Sequence, residues 1–326
     1  MHKDTLIIRF SAHDTPTQLY AVSFRDLAVK TTLRDLAAPE NLSVKLLDSV
    51  KLGATPLEQE LLSFLPTIRK ETLTLDNGAQ GHFVYAEGGS PRPMLLVIHG
   101  GPFGCGPQDM FLQLRTFFLL QGYSLLILNY RGSTSYGEDF LNSLLGHIGD
   151  RDVHDCGRLA KEAIARYPTI VDPARVGVYG ASHGGFLTGW LIGHPDYCKL
   201  FKASVLWNPV INMSYMYAST DIPDWIVACC LGKDWSHKVT AADNQVFFEK
   251  SPVSVVQNVT TPALVLIGNQ DRRVTPHAGV QYHHQLKEQG VDTKLFMYPE
   301  DGHAIASSEP SIDATINILM WLDERL

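Results

Sequence analysis

Val176-Gly-Val-Tyr-Gly-Ala-Ser-His-Gly-Gly185 is the stretch on which the reading of this chain turns. An apolar run leads into a glycine, a serine sits two places later, and a helical pattern over 183–193 follows. Gly180-Ala181-Ser182-His183-Gly184 is therefore a G-x-S-x-G pattern lying between a predicted strand and a predicted helix. In that setting a sharp turn lifts the serine hydroxyl above the sheet. A Cβ on either flanking glycine would crowd the turn, and the helix that begins there aims backbone N–H groups at the serine. Ser182 is the candidate nucleophile.

On either side of this stretch, strand and helix patterns alternate from about Pro93 onward. Met94–Ile98, Ser124–Leu128, Val176–Tyr179, Ala203–Trp207, Ala263–Ile267 and Lys294–Tyr298 are short apolar runs. Runs of that kind suit parallel strands covered on both faces. In Val153–Tyr167 the residues Val153, Cys156, Leu159, Ala160, Ala163 and Ile164 share one helical face, and Pro168 ends the helix. Segments 111–121, 183–193, 277–289 and 311–326 read likewise. The pattern predicts a mostly parallel sheet with helices on both faces and functional loops at the carboxyl ends of the strands. With the serine turn in place, the expected class is the α/β-hydrolase fold.

A serine nucleophile needs a base, and the base needs an orienting group. In this fold the chain order is Ser, then Asp or Glu, then His. Asp271 follows the run ALVLI and His303 follows KLFMY, so both stand just past a strand, on the same rim as Ser182. Asp301, two residues before His303, reads as a turn former. His99-Gly100-Gly101-Pro102 follows MLLVI and matches the loop that supplies one oxyanion donor. Gly101 is the expected donor, with Gly100 as its neighbouring alternative, and the second is the backbone N–H of His183. Trp207, Trp225 and Ile226 are candidates either for a substrate pocket or for the core.

Bulk properties narrow the partners. The 326 residues are 45% hydrophobic and 19% charged, ordinary for a soluble enzyme, and carry a formal net charge of -7 with no basic run. Clustered Lys and Arg, which nucleic-acid binding needs, are missing. The apolar stretch Leu6–Ile8 is too short for a signal peptide core, and no segment has bilayer-spanning length, so no membrane partner is expected. Five cysteines in no metal or disulfide spacing fit reduced thiols in the cytoplasm, where the sequons at Asn41, Asn212 and Asn258 carry no meaning. His283 and His284 lack metal-ligand spacing, and the serine chemistry calls for no cofactor.

Taken together, His99-Gly-Gly-Pro, Asn129-Tyr-Arg-Gly-Ser133, Gly180-Ala-Ser-His-Gly-Gly185, Asp271-Arg-Arg-Val274 and Gly302-His303 resemble the prolyl oligopeptidase family of serine peptidases. Asn208-Pro-Val-Ile-Asn212 and Ser219-Thr-Asp-Ile-Pro-Asp-Trp225 are similar to its acylaminoacyl peptidase branch in particular. The resemblance covers roughly residues 70–326. It implies release of N-acylated, typically acetylated, amino acids from short peptides, with Arg273 binding substrate carbonyls; the residue-level alternative is a salt bridge that holds the loop. A carboxylesterase would use the same machinery, and an inactive binding remnant is the alternative from another class.

The first 69 residues form a separate arm in this reading. Leu6–Phe10 and Leu19–Phe24 look like a β-hairpin around the polar turn SAHDTPT, followed by a helix over Pro56–Phe64. The family carries a β-propeller before the hydrolase domain, so the resemblance implies a shortened member that keeps the end of a last blade. An apolar face left bare by its loss would favour a homo-oligomer.

Overall fold

A computed structural model describes residues 5–12, 15–23, 43–49, 54–106 and 113–326. The chain divides into two units, Met1–Ile68 with Pro107–Leu120, and Arg69–Gly106 with Gln121–Leu326.

In the first unit, β1 (Thr5–Ala12) and β2 (Thr15–Ser23) pair antiparallel, and β3 (Ser43–Ser49) pairs antiparallel with β2. The expected hairpin is thus the first part of a three-stranded sheet. Its strands reach further into the polar turn than the apolar pattern suggested, to Ala12 and back from Thr15. Phe24 lies outside the described residues. Helix α1 (Pro56–Phe64) begins where the sequence placed it, because Thr55 closes a capping box. Its Oγ1 accepts from Glu58 N at 3.3 Å, and the Glu58 carboxylate accepts from Thr55 N at 2.9 Å.

The second unit is built on an eight-stranded sheet. Its first strands are β4 (Ile68–Thr74), β5 (Gln80–Ala86) and β6 (Arg92–Ile98). Helix α2 (Gln113–Leu120), in the first unit, precedes β7 (Ser124–Asn129). Then come α3 (Glu138–Asn142), α4 (Arg151–Arg166), β8 (Val171–Ala181) and α5 (His183–Gly193). After β9 (Ala203–Trp207) three helices intervene, α6 (Met213–Ser219), α7 (Pro223–Leu231) and α8 (Ala241–Glu249). The chain closes with β10 (Ala263–Gly268), α9 (Pro276–Glu288), β11 (Thr293–Tyr298) and α10 (Ser308–Asp323).

The strand order is β11-β10-β9-β8-β6-β7-β5-β4. From β11 to β7 every pairing is parallel, and β5 joins β7 antiparallel. This is the expected α/β-hydrolase sheet, extended by β4 and β5, which the apolar-run criterion did not detect.

Alternate residues of the central strands serve opposite faces. Met94, Leu96, Ile98, Leu126, Leu128, Val176 and Val178 join one core with residues of α4, α5 and α9. Trp321 of α10, by contrast, donates its indole N–H to Ser204 O at 3.2 Å, and α10 packs along β9 and β10. All eleven residues of α5 are buried, so this helix has no solvent-exposed face.

One buried pair anchors the loop after β7. Asp155 on α4 is inaccessible and accepts from Arg131 N at 2.9 Å, Nε at 2.8 Å and Nη2 at 2.8 Å. Asn77, in the β4–β5 turn, gives it a fourth bond of 2.7 Å. Truncating one side of such a pair strands the other charge. Asp155→Ala is therefore expected to lower unfolding stability by about 3 kcal/mol, read as a shift of the urea midpoint at constant m-value.

Candidate active site

The local chain path explains why Ser182 is where it is. β8 delivers the chain to Ala181, α5 starts at His183, and Ser182 joins them at φ 58° and ψ −119°. That backbone conformation is rare for a residue with a side chain. A Cβ on Gly180 would lie 2.1 Å from Gly184 O, and one on Gly184 would lie 2.2 Å from Ile98 O. Only glycine fits at either place. Ser182 N donates to Trp207 O at 2.9 Å, and Ser182 O accepts from Phe186 N at 3.0 Å, so the turn is held from both sides.

Asp271 leaves the end of β10 fully buried. Its Oδ1 accepts from Arg273 N at 2.8 Å and Val274 N at 3.0 Å, and its Oδ2 meets His303 Nδ1 at 2.5 Å. A proton on Nδ1 facing a carboxylate places the imidazole lone pair on Nε2, the nitrogen that can accept a proton. His303 stands on the loop after β11, which can close because position 268 is glycine. A Cβ there would sit 2.1 Å from Gly302 O.

Asn208 completes the clasp. It is buried at φ 39°, a conformation Asn tolerates. Its Oδ1 accepts from Gly268 N at 2.8 Å, and its Nδ2 donates to His303 O at 2.8 Å. One side chain therefore ties the ends of β9 and β10 to the histidine loop. The sequence reading used Asn208 only as part of a resemblance; its position just past a strand was the available signal. Ile305, two places beyond His303, sits buried at φ 45°, strained for a β-branched residue.

Facing Ser182 is the loop after β6. A Cβ on Gly100 would lie 2.7 Å from Ala181 O, so this residue is pressed against the serine turn. Gly101, at φ 60°, has open space beside it. His99 fixes the loop. Its Nε2 is 3.0 Å from Ser133 Oγ, its carbonyl accepts from Tyr130 OH at 3.1 Å, and its ring stacks on Tyr130 at 4.5 Å. Asn129 Oδ1 accepts from Gly106 N at 2.7 Å. The segment Asn129-Tyr-Arg-Gly-Ser133 thus acts as the brace of the glycine loop.

Gly100, Gly101, Ser182, His183, Arg273 and His303 all line one cavity of about 590 Å³. Its apolar wall includes Trp207, Val210, Met216, Ile222 and Trp225. Ile226, weighed with the two tryptophans, instead packs in the core with no accessible surface. Arg273 makes the salt bridge given as its residue-level alternative. It lines the cavity, and its Nε lies 2.6 Å from Asp221 Oδ1, with Nη2 3.3 Å from Oδ2. The guanidinium holds the Asp221 carboxyl below the usual carboxylate range. Thr220 Oγ1 donates to Arg273 O at 2.7 Å, and Ser219 and Thr275 hydroxyls meet at 2.9 Å. The segment Ser219–Trp225 therefore buttresses the Asp271 loop while giving Ile222 and Trp225 to the cavity.

Residues 111–326 match the sequence profile of the prolyl oligopeptidase family. The chain belongs to that family. It is 42% identical over 242 residues to the acylamino-acid-releasing enzyme of Arabidopsis thaliana, covering 73% of this chain and 31% of the relative. It is 39% identical over 248 residues to acylamino-acid-releasing enzyme 1 of Oryza sativa subsp. japonica, covering 75% of this chain and 31% of the relative. The chain spans about a third of the length of these curated relatives. The fold is similar to that of the Pyrococcus horikoshii acylaminoacyl peptidase, with a TM-score of 0.79 at 21% identity over 99% of this chain and 48% of that one. The prolyl oligopeptidase family is one of serine peptidases, and the α/β-hydrolase frame seen here is compatible with such a site.

Among the described residues no helix is long and apolar enough to cross a membrane, and no three His, Cys, Asp or Glu side chains gather as metal ligands.

Replacing Asn208 by alanine frees the histidine loop and leaves Gly268 N without its acceptor. Such a loss is worth about 1–3 kcal/mol. Asn208→Ala is expected to cut kcat by at least about tenfold and to lower the melting temperature, both measurable on a purified variant.

Proposed function

We propose that this chain is a serine peptidase that releases N-acylated, typically acetylated, amino acids from the amino end of short peptides. The observation that carries the reading is the contact of 2.5 Å between buried Asp271 and His303 on the rim of a cavity that Ser182 also lines.

In the proposed reaction, Ser182 Oγ attacks the carbonyl carbon of the acylated residue while His303 Nε2 takes the serine proton. Asp271 stabilises the imidazolium. As the carbon–oxygen bond forms, the carbonyl electron pair moves onto oxygen, where the N–H groups of Gly101 and His183 receive it. Donors set in place beforehand typically contribute about 3 kcal/mol to such a transition state. The tetrahedral adduct collapses, the carbon–nitrogen bond breaks, and His303 hands its proton to the departing amine. Water, activated by the same histidine, then hydrolyses the acyl-enzyme.

The character of the cavity supports an acylated substrate. Arg273 and His303 are the charged or chargeable groups in its wall near Ser182, apart from the His183 ring, and among the described residues no carboxylate lines it. Among the described residues a free ammonium would find no counter-charge in this wall, whereas an acetyl group presents an apolar methyl and a carbonyl for Arg273. The acylamino-acid-releasing enzymes to which the chain is similar point the same way.

The wild type is expected to cleave acetyl-alanyl p-nitroanilide in preference to free alanyl p-nitroanilide, and Ser182→Ala to abolish that cleavage. Cleavage of p-nitrophenyl butyrate alone would favour an esterase. Silence of a folded sample on all three substrates would favour a binding remnant. Arg273→Met is expected to raise KM for the acetylated amide by about tenfold with a smaller change in kcat, the pattern of lost substrate binding.

A further inference from the structure

Beneath the serine turn lies a polar pair that the proposed reaction does not use. His183 is 1% exposed and Asp152 is fully buried, with His183 Nε2 3.0 Å from Asp152 Oδ2. Asp152 stands in the first turn of α4, and its Oδ1 accepts from Gly149 N at 2.9 Å and Val153 N at 3.0 Å. The carboxylate is thus fixed by backbone on one oxygen and offers the other to the imidazole. The ring is wedged against Phe186 at 5.0 Å, with the edge of Trp225 at 6.1 Å. Its Nδ1 is buried and has no hydrogen-bond partner among the described residues.

A core position filled only for packing would take an apolar residue, because burying a charge and an unsatisfied nitrogen costs stability. The polar pair stands directly after the strained Ser182, on the residue whose backbone N–H is the proposed oxyanion donor. Rotation of that peptide is limited on the serine side by the glycine contacts. On the other side it is limited by where the His183 side chain is held.

We infer that Asp152 is a positioning residue for the oxyanion site: it anchors the His183 imidazole and so holds the 182–183 peptide with its N–H toward the reacting oxygen. The inference rests on the serine-hydrolase reading of the site, but not on the acylated substrate. Asp152 touches neither substrate nor the reacting atoms in this scheme, and acts through His183.

The test compares wild type with Asp152→Asn, His183→Leu and His183→Gln. Leucine fills the space without the bond, and glutamine keeps an N–H donor near the place of Nε2. Each is assayed on p-nitrophenyl butyrate and acetyl-alanyl p-nitroanilide. Each is also titrated with an acetyl-alanyl trifluoromethyl ketone, whose hemiketal oxygen would occupy the oxyanion site. Asp152→Asn and His183→Leu are expected to lose about 10–100-fold in kcat, with KM within about twofold and ketone affinity falling by the same factor as kcat. His183→Gln is expected to stay within about fivefold of wild type.

A packing role alone would lower the melting temperature and leave kcat and ketone affinity unchanged. His183→Leu with wild-type values of both, or a loss confined to KM, overturns the inference. Should Asp152→Asn fail to fold, the leucine–glutamine contrast decides. A folded wild type that neither turns over a substrate nor captures the ketone removes the serine-hydrolase reading, and this inference with it.

Discussion

Carbonyl oxygens press so closely on positions 180 and 184 that neither can carry a side chain, and the rest of the site is arranged around that crowding. Ile98 O, at the end of β6, approaches the first turn of α5, so the strand before the glycine loop and the helix after the serine are in contact. Gly100 in turn presses on Ala181 O. Ser182, the glycine loop and the helix start are three parts of one contact. The unfavourable backbone of Ser182 persists because its neighbours leave it no alternative. An apolar helix buried all round and eight strands beneath it supply the rigidity that this strain requires.

Much of this could be read from the chain, and the reasons are specific. The strands that hold the site are continuous apolar runs because both their faces are covered, and each ends in a residue type its neighbours do not explain. Ser182, Asp271 and His303 were visible because they follow β8, β10 and β11 in the order this fold uses. β4 and β5 escaped notice because IRKETLT and QGHFVYA mix polar and apolar residues. β3 was hidden for the same reason. The helices between β9 and β10 lie where Trp207 to Pro262 gave no single periodic face. Asn208 and the Asp152–His183 pair are harder still. Their partners are remote in sequence, so no local spacing announces them.

The segment Ser219–Trp225 shows how a sequence resemblance can have a mechanical cause. Its hydroxyls and its aspartate hold the loop that carries Asp271 and Arg273, and its apolar residues face the cavity. Cavity wall and Asp271 loop are thereby joined. A change on one would be felt by the other, so the cavity wall and the Asp271–His303 contact are mechanically coupled.

The bonds of Asn208 have a further meaning for how the molecule is born. They close over 60 residues to Gly268 and 95 to His303. Contacts so distant in sequence are the slow ones to form. A growing chain could shape the serine turn before β11 exists, yet His303 would not stand beside it. In the proposed reading, Ser182 would gain its base only once β11 has paired with β10.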